Sequence, residues 1–230
     1  MNGKKIAGLS FFISALGIQI PYTYLIQNFR YPDILRESPA FILQEFAKGG
    51  EPLVYAWFFF AILGLPLFYG YSYLDSCFSE DRSPLRSIGF FLGCFALVVQ
   101  WIGLMRWVFL VPILANLHLS APPENQWMIE TAFQVQHILF GVILGEHIGQ
   151  FFTVLWIWIY SYEMWSTRRF GSFLPWFGAI SGCIYLLGQS ELLSLVTSLP
   201  EIPMTGFLGS LGWLFWMMGI GYRLLREPKS

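Results

Sequence analysis

The chain reads as an all-α protein, a polytopic membrane helical bundle of six transmembrane helices with a short amphipathic helix in its first outer loop. Three observations predict this. Of its 230 residues, 56% are hydrophobic and 19% aromatic while 12% are charged, about half the charged share of an ordinary soluble domain. The apolar residues gather into six windows of about 20 or more, the length a helix needs to cross the hydrocarbon core. Proline, glycine and charged residues punctuate the chain between those windows. No stretch has the composition of a linker, so residues 1–230 are expected to form a single membrane domain. The net charge of −1 gives no basic surface for nucleic acid.

The expected spans cover approximately residues 5–27, 52–74, 87–117, 132–162, 174–196 and 205–224. The first follows Lys4 and Lys5, but it is too long for a signal peptide and lacks a small-x-small cleavage site, so it stays as a span. The third and fourth exceed the minimum length and must tilt or project beyond the lipid. Basic residues in the short connections set the orientation. Lys4, Lys5, Arg82, Arg86, Arg168, Arg169, Arg223, Arg226 and Lys229 fall on one side, against Arg30, Arg36 and Lys48 on the other. That imbalance places both termini in the cytoplasm.

In the first outer connection, Ser38-Pro39 suits a helix start and Gly49-Gly50 a stop. Between them Phe41, Ile42, Leu43 and Phe46 alternate with Gln44, Glu45 and Lys48, the pattern of a helix lying on a membrane surface or over the mouth of a bundle. The segment from His118 to Glu130, with Pro122-Pro123, is expected to be a loop on the same rim. Cys77, Cys94 and Cys183 are odd in number and scattered; they suit small core positions better than a disulfide framework or a zinc knuckle.

The fourth window, QVQHILFGVILGEHIGQFFTVLWIW, carries the unusual chemistry. With α-helical winding and His137 at zero, Glu146, Gln150, Gln136 and His147 lie at about 180°, 220°, 260° and 280°, with Thr153 at about 160°. Gly141, Gly145 and Gly149 form a separate stripe at spacing four, suited to close approach of a second helix. Glu146 falls near mid-membrane, and Arg106 of the third window falls at nearly the same depth. A charge there needs a partner, water or a proton, so an Arg106–Glu146 pair is expected, direct or through Gln150 or water, with His147 beside it. Intramembrane ion pairs also serve only to fix helix register. Metal or haem chemistry is disfavoured: His137 and His147 stand about 15 Å apart along one helix, and Glu146-His147 lacks the HExxH spacing. His118 and His137 could approach each other, without a third ligand in the pattern. No cofactor is favoured, and neither GxSxG nor a phosphate loop occurs.

Four motifs, FRYPDILRE (29–37), AKGGEPLVYAW (ending at Trp57), RWVFLVPILA (106–115) and FxxxHxxxGxxxGEHxG (133–149), are similar in kind and order to a bacterial family of multi-pass membrane proteins known only as a domain of unknown function. The resemblance implies a bacterial cytoplasmic (inner) membrane. It puts Arg30, Tyr31, Pro32, Asp33, Arg106, Trp107, His137, Gly145, Glu146 and His147 at motif positions. It implies no particular activity.

The leading functional reading is an outward-facing polar pocket that binds or transports a small amphipathic or ionisable molecule or a lipid. Its candidate residues are Arg106, Glu146, His147, Gln150, His137, Arg30, Asp33, Tyr31 and Trp107. The alternatives are an intramembrane enzyme using Glu146 or His147 as acid–base group with Arg106 as stabiliser, and a structural or regulatory membrane subunit. The bulky FFTVLWIWIYSY that follows Gln150 argues against an open path through the bundle.

Overall fold

A Ser-Pro pair begins two of the long helices. Ser38 accepts the Phe41 N–H (3.4 Å) and Ser83 accepts the Arg86 N–H (3.1 Å); in each case the following proline takes the first helical position, where an N–H would have no partner. The structure, a computed structural model, describes residues 3–78 and 83–226, and no strand occurs among them. Arg82 and Lys229 lie outside the described residues. The elements in order are α1 (Gly3–Gly17), α2 (Gln19–Phe29), a 3-10 turn (Asp33–Arg36), α3 (Pro39–Ile62) and α4 (Leu67–Ser76). There follow α5 (Pro84–Phe109), α6 (Val111–Ser120), α7 (Pro123–Gln136), a π-helix (His137–Ile148), α8 (Gly149–Thr167), α9 (Phe173–Leu187), α10 (Gln189–Leu193) and α11 (Thr205–Arg226).

Four stretches are long and apolar enough to cross a membrane: Gly3–Phe29, Pro39–Ser76, Pro84–Ser120 and Pro123–Thr167, of 27, 38, 37 and 45 residues. They contain the first four expected windows. The fifth window differs from expectation. Its helix, α9, has 15 residues and ends at Gly188, about 22 Å of helix where the hydrocarbon core is about 30 Å, and a separate short α10 follows. The sixth window forms α11 in full, but neither α9 nor α11 is among the four qualifying stretches.

Two outer segments differ as well. The amphipathic helix forms, with Ile42, Leu43 and Phe46 buried and Gln44 and Lys48 exposed. The glycine pair, however, does not stop it. Gly50 turns the chain at φ 58°, ψ −153°, a conformation open to glycine alone, and Pro52 withholds the N–H that would continue the ladder. The result is a kink within α3 rather than a separate surface helix. The expected rim loop from His118 to Glu130 is helical except at its bend. Pro122-Pro123 starts α7, and His118 Nε2 lies 2.9 Å from Glu130 Oε1 across the α6–α7 turn. Cys183 is exposed, whereas Cys77 is buried.

The core has two parts. One, under the 3-10 turn, packs Phe29, Phe46, Trp57, Trp107 and Phe133, with Trp57 and Trp107 stacked at 4.7 Å and 8°. The other, toward the free ends of α1 and α11, packs Tyr71, Trp156, Tyr160 and Trp216, with Tyr71 and Trp156 stacked at 4.0 Å. We call these the Arg36 end and the terminal end. Glycines set the crossings of α1, α9 and α11. A Cβ on Gly8 would meet the Gly221 carbonyl at 3.0 Å, and one on Gly209 would meet Tyr185 Cα at 2.3 Å. Close backbone approach of this kind is how helices associate where burial from water supplies no drive.

Gly209→Ala is therefore expected to destabilise the detergent-solubilised protein by about 1–3 kcal/mol, the usual cost of overpacking. Gly64→Ala is the control, because its Cβ would meet nothing nearer than a carbonyl oxygen at 3.8 Å. Equal melting temperatures for the two variants would show that α9 and α11 do not pack this way.

Candidate functional site

Arg106 sits in the last turn of α5, just before Pro112 interrupts the backbone ladder leading into α6. A cation there can cap helix carbonyls, and Arg106 Nη1 donates to the Gly103 carbonyl. The side chain is buried, at 5% exposure. Two glycines make room for it. A Cβ on Gly141 would lie 2.5 Å from Arg106 Nη2, and one on Gly103 would lie 2.7 Å from the Phe140 carbonyl oxygen and 2.9 Å from Gly145 Cα. Gly149 lies over the Gln100 side chain, 2.6 Å from where its Cβ would be. The glycines at 141, 145 and 149 thus all lie along α5. The Arg106 guanidinium also stands 5.1 Å from the Trp107 ring centroid.

The segment opposite Arg106 does not have α-helical winding. From His137 to Ile148 the backbone is a π-helix, with i→i+5 hydrogen bonds and more residues per turn. The nine residues from His137 to Glu146 then complete about two turns instead of about two and a half. His137 and Glu146, opposite each other on an α-helical wheel, both act electrostatically on Arg106 or are acted on by it. The wheel drawn for an α-helix is corrected accordingly, and His137 joins Glu146 on the side facing α5.

The direct Arg106–Glu146 contact is not made: no ion pair within 4.0 Å joins them among the described residues. They interact at longer range. His137 stacks on Phe133 at 5.4 Å and 19°. Its Nδ1, Arg106 Nε and both polar atoms of the Gln136 side chain are buried with no hydrogen-bond partner in the protein. His147 points elsewhere, its Nδ1 2.5 Å from Gln189 Oε1, while Gln189 Nε2 donates to Gln150 Oε1 at 3.0 Å. His147 and Gln150 therefore tie the π-helix and the start of α8 to α10 and do not bridge the charges.

Tyr31 lies near the cluster, packed edge-on against Trp57 at 5.2 Å. Burial first, then the Glu146 carboxylate, push its phenol above the ordinary tyrosine value, so it keeps its proton and remains an O–H donor. Tyr185 of α9 is also within electrostatic range of Glu146. Arg30 and Asp33 are not part of the cluster. Arg30 ends α2 in a left-handed conformation and faces Glu37 at 3.6 Å and the Phe41 ring; Asp33 is exposed, within range of Tyr22.

Sequence reasoning missed two groups. Arg36, counted only as an outer charge, reaches Glu201 at 3.4 Å and Glu191 at 4.0 Å, joining the 3-10 turn to the α10–α11 region. At the terminal end, Arg86 Nε lies 3.4 Å from Asp75 Oδ1, the Tyr160 hydroxyl donates to the same oxygen at 2.8 Å, and Ser83 donates to Glu163 at 3.1 Å. The available signal was an aspartate in the last turn of an apolar window. Among the described residues no group of three His, Cys, Asp or Glu is placed to hold a metal ion. The cavities of about 370 and 310 Å3 lie away from Arg106, one beside Gln44 and Leu119, the other between α8 and α9.

Comparison with known proteins is brief. The family described as domain of unknown function DUF4386 matches residues 6–221, and the chain belongs to that family. No curated protein and no solved structure matches it.

The α5–π-helix contact makes a graded prediction. Gly103→Ala places a methyl against two backbone atoms, whereas a Cβ on Gly145 would meet the Phe140 carbonyl oxygen at 3.2 Å and Gly103 Cα at 3.5 Å. Gly103→Ala should lower the melting temperature clearly more than Gly145→Ala. The reverse order would break the placement of the π-helix on α5.

Proposed function

We propose, for this member of a family without assigned activity, that the chain is a membrane-embedded binding protein whose Arg106–Glu146–His137 cluster holds a small polar or ionisable molecule entering from the Arg36 end. One observation carries the reading. Buried polar atoms of Arg106, His137 and Gln136 have no protein partner, and Glu146 stands off from Arg106 rather than closing on it. A pair kept only to fix helix register gains most by contact, and buried polar groups in native proteins are ordinarily satisfied. A guanidinium with a free Nε, an acceptor carboxylate and the Tyr31 hydroxyl would suit a ligand presenting both an anionic and a donor group. Binding is favoured over open passage because Trp156 fills the bundle toward the terminal end, between Tyr71 at 4.0 Å and Trp216 at 5.2 Å.

The proposed setting is a bacterial cytoplasmic membrane crossed six times, with both termini inside and the Arg36 end outside. The packing of α11 along α9 and against α1 supports the last two crossings. Single cysteines replacing the exposed Asn125 and Ser198 should react with an impermeant thiol reagent only from outside, and one replacing Ser172 only from inside. Ser198→Cys reacting on the same side as Ser172→Cys would remove the fifth crossing.

The site itself is tested by a double-mutant cycle. Arg106→Met and Glu146→Gln should each destabilise, and together should recover about 1 kcal/mol or more relative to additivity, as charges in mutual range do. Mass spectrometry of small molecules retained by the purified protein should show a compound in the wild type that the double variant loses although its fold is restored. A restored fold with an unchanged set of retained compounds would assign the pair to structure. Gly141→Ala, which displaces the guanidinium, should also lose the compound.

A further inference from the structure

The first turns of α9 and the last turns of α8 enclose a groove of about 310 Å3, lined by Trp158, Ser161, Tyr162 and Trp165 on one side and Trp176 and Ala179 on the other. The α8 residues recur at the i, i+3, i+4, i+7 spacing of one helical face. The Trp158 indole N–H donates to the Ala179 carbonyl at 3.2 Å, which fixes the floor, while Trp176 at the rim is 62% exposed. One polar group lies beneath this aromatic surface and another follows it in sequence. Ser161 is 3% exposed and its hydroxyl has no hydrogen-bond partner in the protein. Arg168, three residues beyond Trp165, is exposed and makes no ion pair among the described residues.

We propose that this groove holds one anionic phospholipid, with an acyl chain along Trp158, Trp165 and Trp176 and the headgroup phosphate at Arg168. Charge complementarity selects the occupant. The groove lies between the flanks of two helices and opens at the exposed Trp165 and Trp176, and the flanks of a membrane protein meet lipid. Tryptophan and tyrosine favour the boundary between headgroup and hydrocarbon, and a guanidinium at that level attracts anionic headgroups. Ser161 lies seven residues before Arg168, about 10 Å deeper along the helix, with its hydroxyl turned into the α8–α9 contact beside Gly178, so the groove at that depth offers an acyl chain an apolar wall. A soluble anion would use Arg168 but not the tryptophans; a second copy of the chain would cover the tryptophans but has no acidic group specified for Arg168.

Native mass spectrometry of the full chain, delipidated in detergent and titrated with phosphatidylglycerol or phosphatidylcholine of identical acyl chains, tests this. The wild type should retain phosphatidylglycerol about fivefold more strongly, the preference worth one basic residue at an anionic surface. Arg168→Gln should erase that preference, lowering phosphatidylglycerol retention more than that of phosphatidylcholine, whose choline already offsets its phosphate. Trp176→Ala should weaken both lipids, and the milder Trp176→Phe should restore them. Melting temperatures of the lipid-free variants within a degree or so of wild type would confirm folding, as expected for exposed positions. Equal retention of the two lipids by the wild type overturns the proposal. So does competition by glycerol phosphate alone at lipid-like concentrations, which would mark a bare anion site. A wild-type dimer that Trp176→Ala dissociates, without lipid retention, would assign the groove to a second copy.

Discussion

A guanidinium inside an apolar bundle has no bulk water to return to, and the housing of Arg106 determines the geometry of the helices around it. The guanidinium leaves no room for a Cβ at Gly141, and the π-helix backbone leaves none at Gly103, so both glycines are needed to bring the two helices together around it. It leans on Trp107, which is stacked on Trp57, and Trp57 in turn packs against Phe29 and Tyr31. One buried cation thereby links α2, α3, α5 and the π-helix. The π-winding belongs to the same arrangement. It is a less favourable backbone than the α-helix and recurs at functional sites. Here it turns both His137 and Glu146 toward Arg106, which α-winding would not do.

That winding also marks the limit of what the sequence made legible. The apolar windows, the Ser38-Pro39 and Ser83-Pro84 helix starts and the glycine stripe are local signals, and local signals survive folding. That Arg106 and Glu146 come within electrostatic range of each other was legible too, since the level of a residue follows from counting along a helix. Direction was not legible. Every angle on the wheel assumed 100° per residue, and the error accumulates along His137–Ile148 until His137 changes sides. The glycine pair at 49–50 signalled a break correctly but could not distinguish a stop from a kink, which depends on whether the next helix finds packing in line with the first. Asp75, Arg86 and Tyr160 meet through tertiary packing across up to 85 residues of chain, and no periodicity records such a meeting.

The two ends of the bundle hold their charges differently. At the terminal end Asp75 and Arg86 are buried, and Asp75 Oδ1 is shared by the Arg86 guanidinium and the Tyr160 hydroxyl. A buried network is strongly destabilised by the loss of one partner, so it resists opening. At the Arg36 end the connection runs through Arg36 to Glu191 and Glu201, with the arginine largely exposed. Exposed ion pairs contribute little and weaken with salt.

This asymmetry bears on how a molecule would reach Arg106. From the terminal end it would have to separate a buried ion pair and then displace the Trp156 side chain from its contacts with Tyr71 and Trp216. From the Arg36 end it would have to exchange solvent-exposed ion pairs for water and move Tyr31, whose aromatic contacts with Tyr22 and Trp57 are edge-on. The first route sacrifices desolvated contacts that water replaces poorly, and the second sacrifices contacts that water replaces well. Local opening in proteins follows the elements with exposed, weakly held interactions. The 3-10 turn Asp33–Arg36, bounded by the left-handed Arg30 and the Ser38 cap, is held in both ways: Arg36 at its end pairs across the bundle with charges in contact with solvent, while Ile34 in its middle is fully buried in the aromatic core. In the proposed binding role, entry from that side would disturb Tyr31 and Ile34 at the edge of the nearer core cluster, and would leave Trp156 between Tyr71 and Trp216 in place.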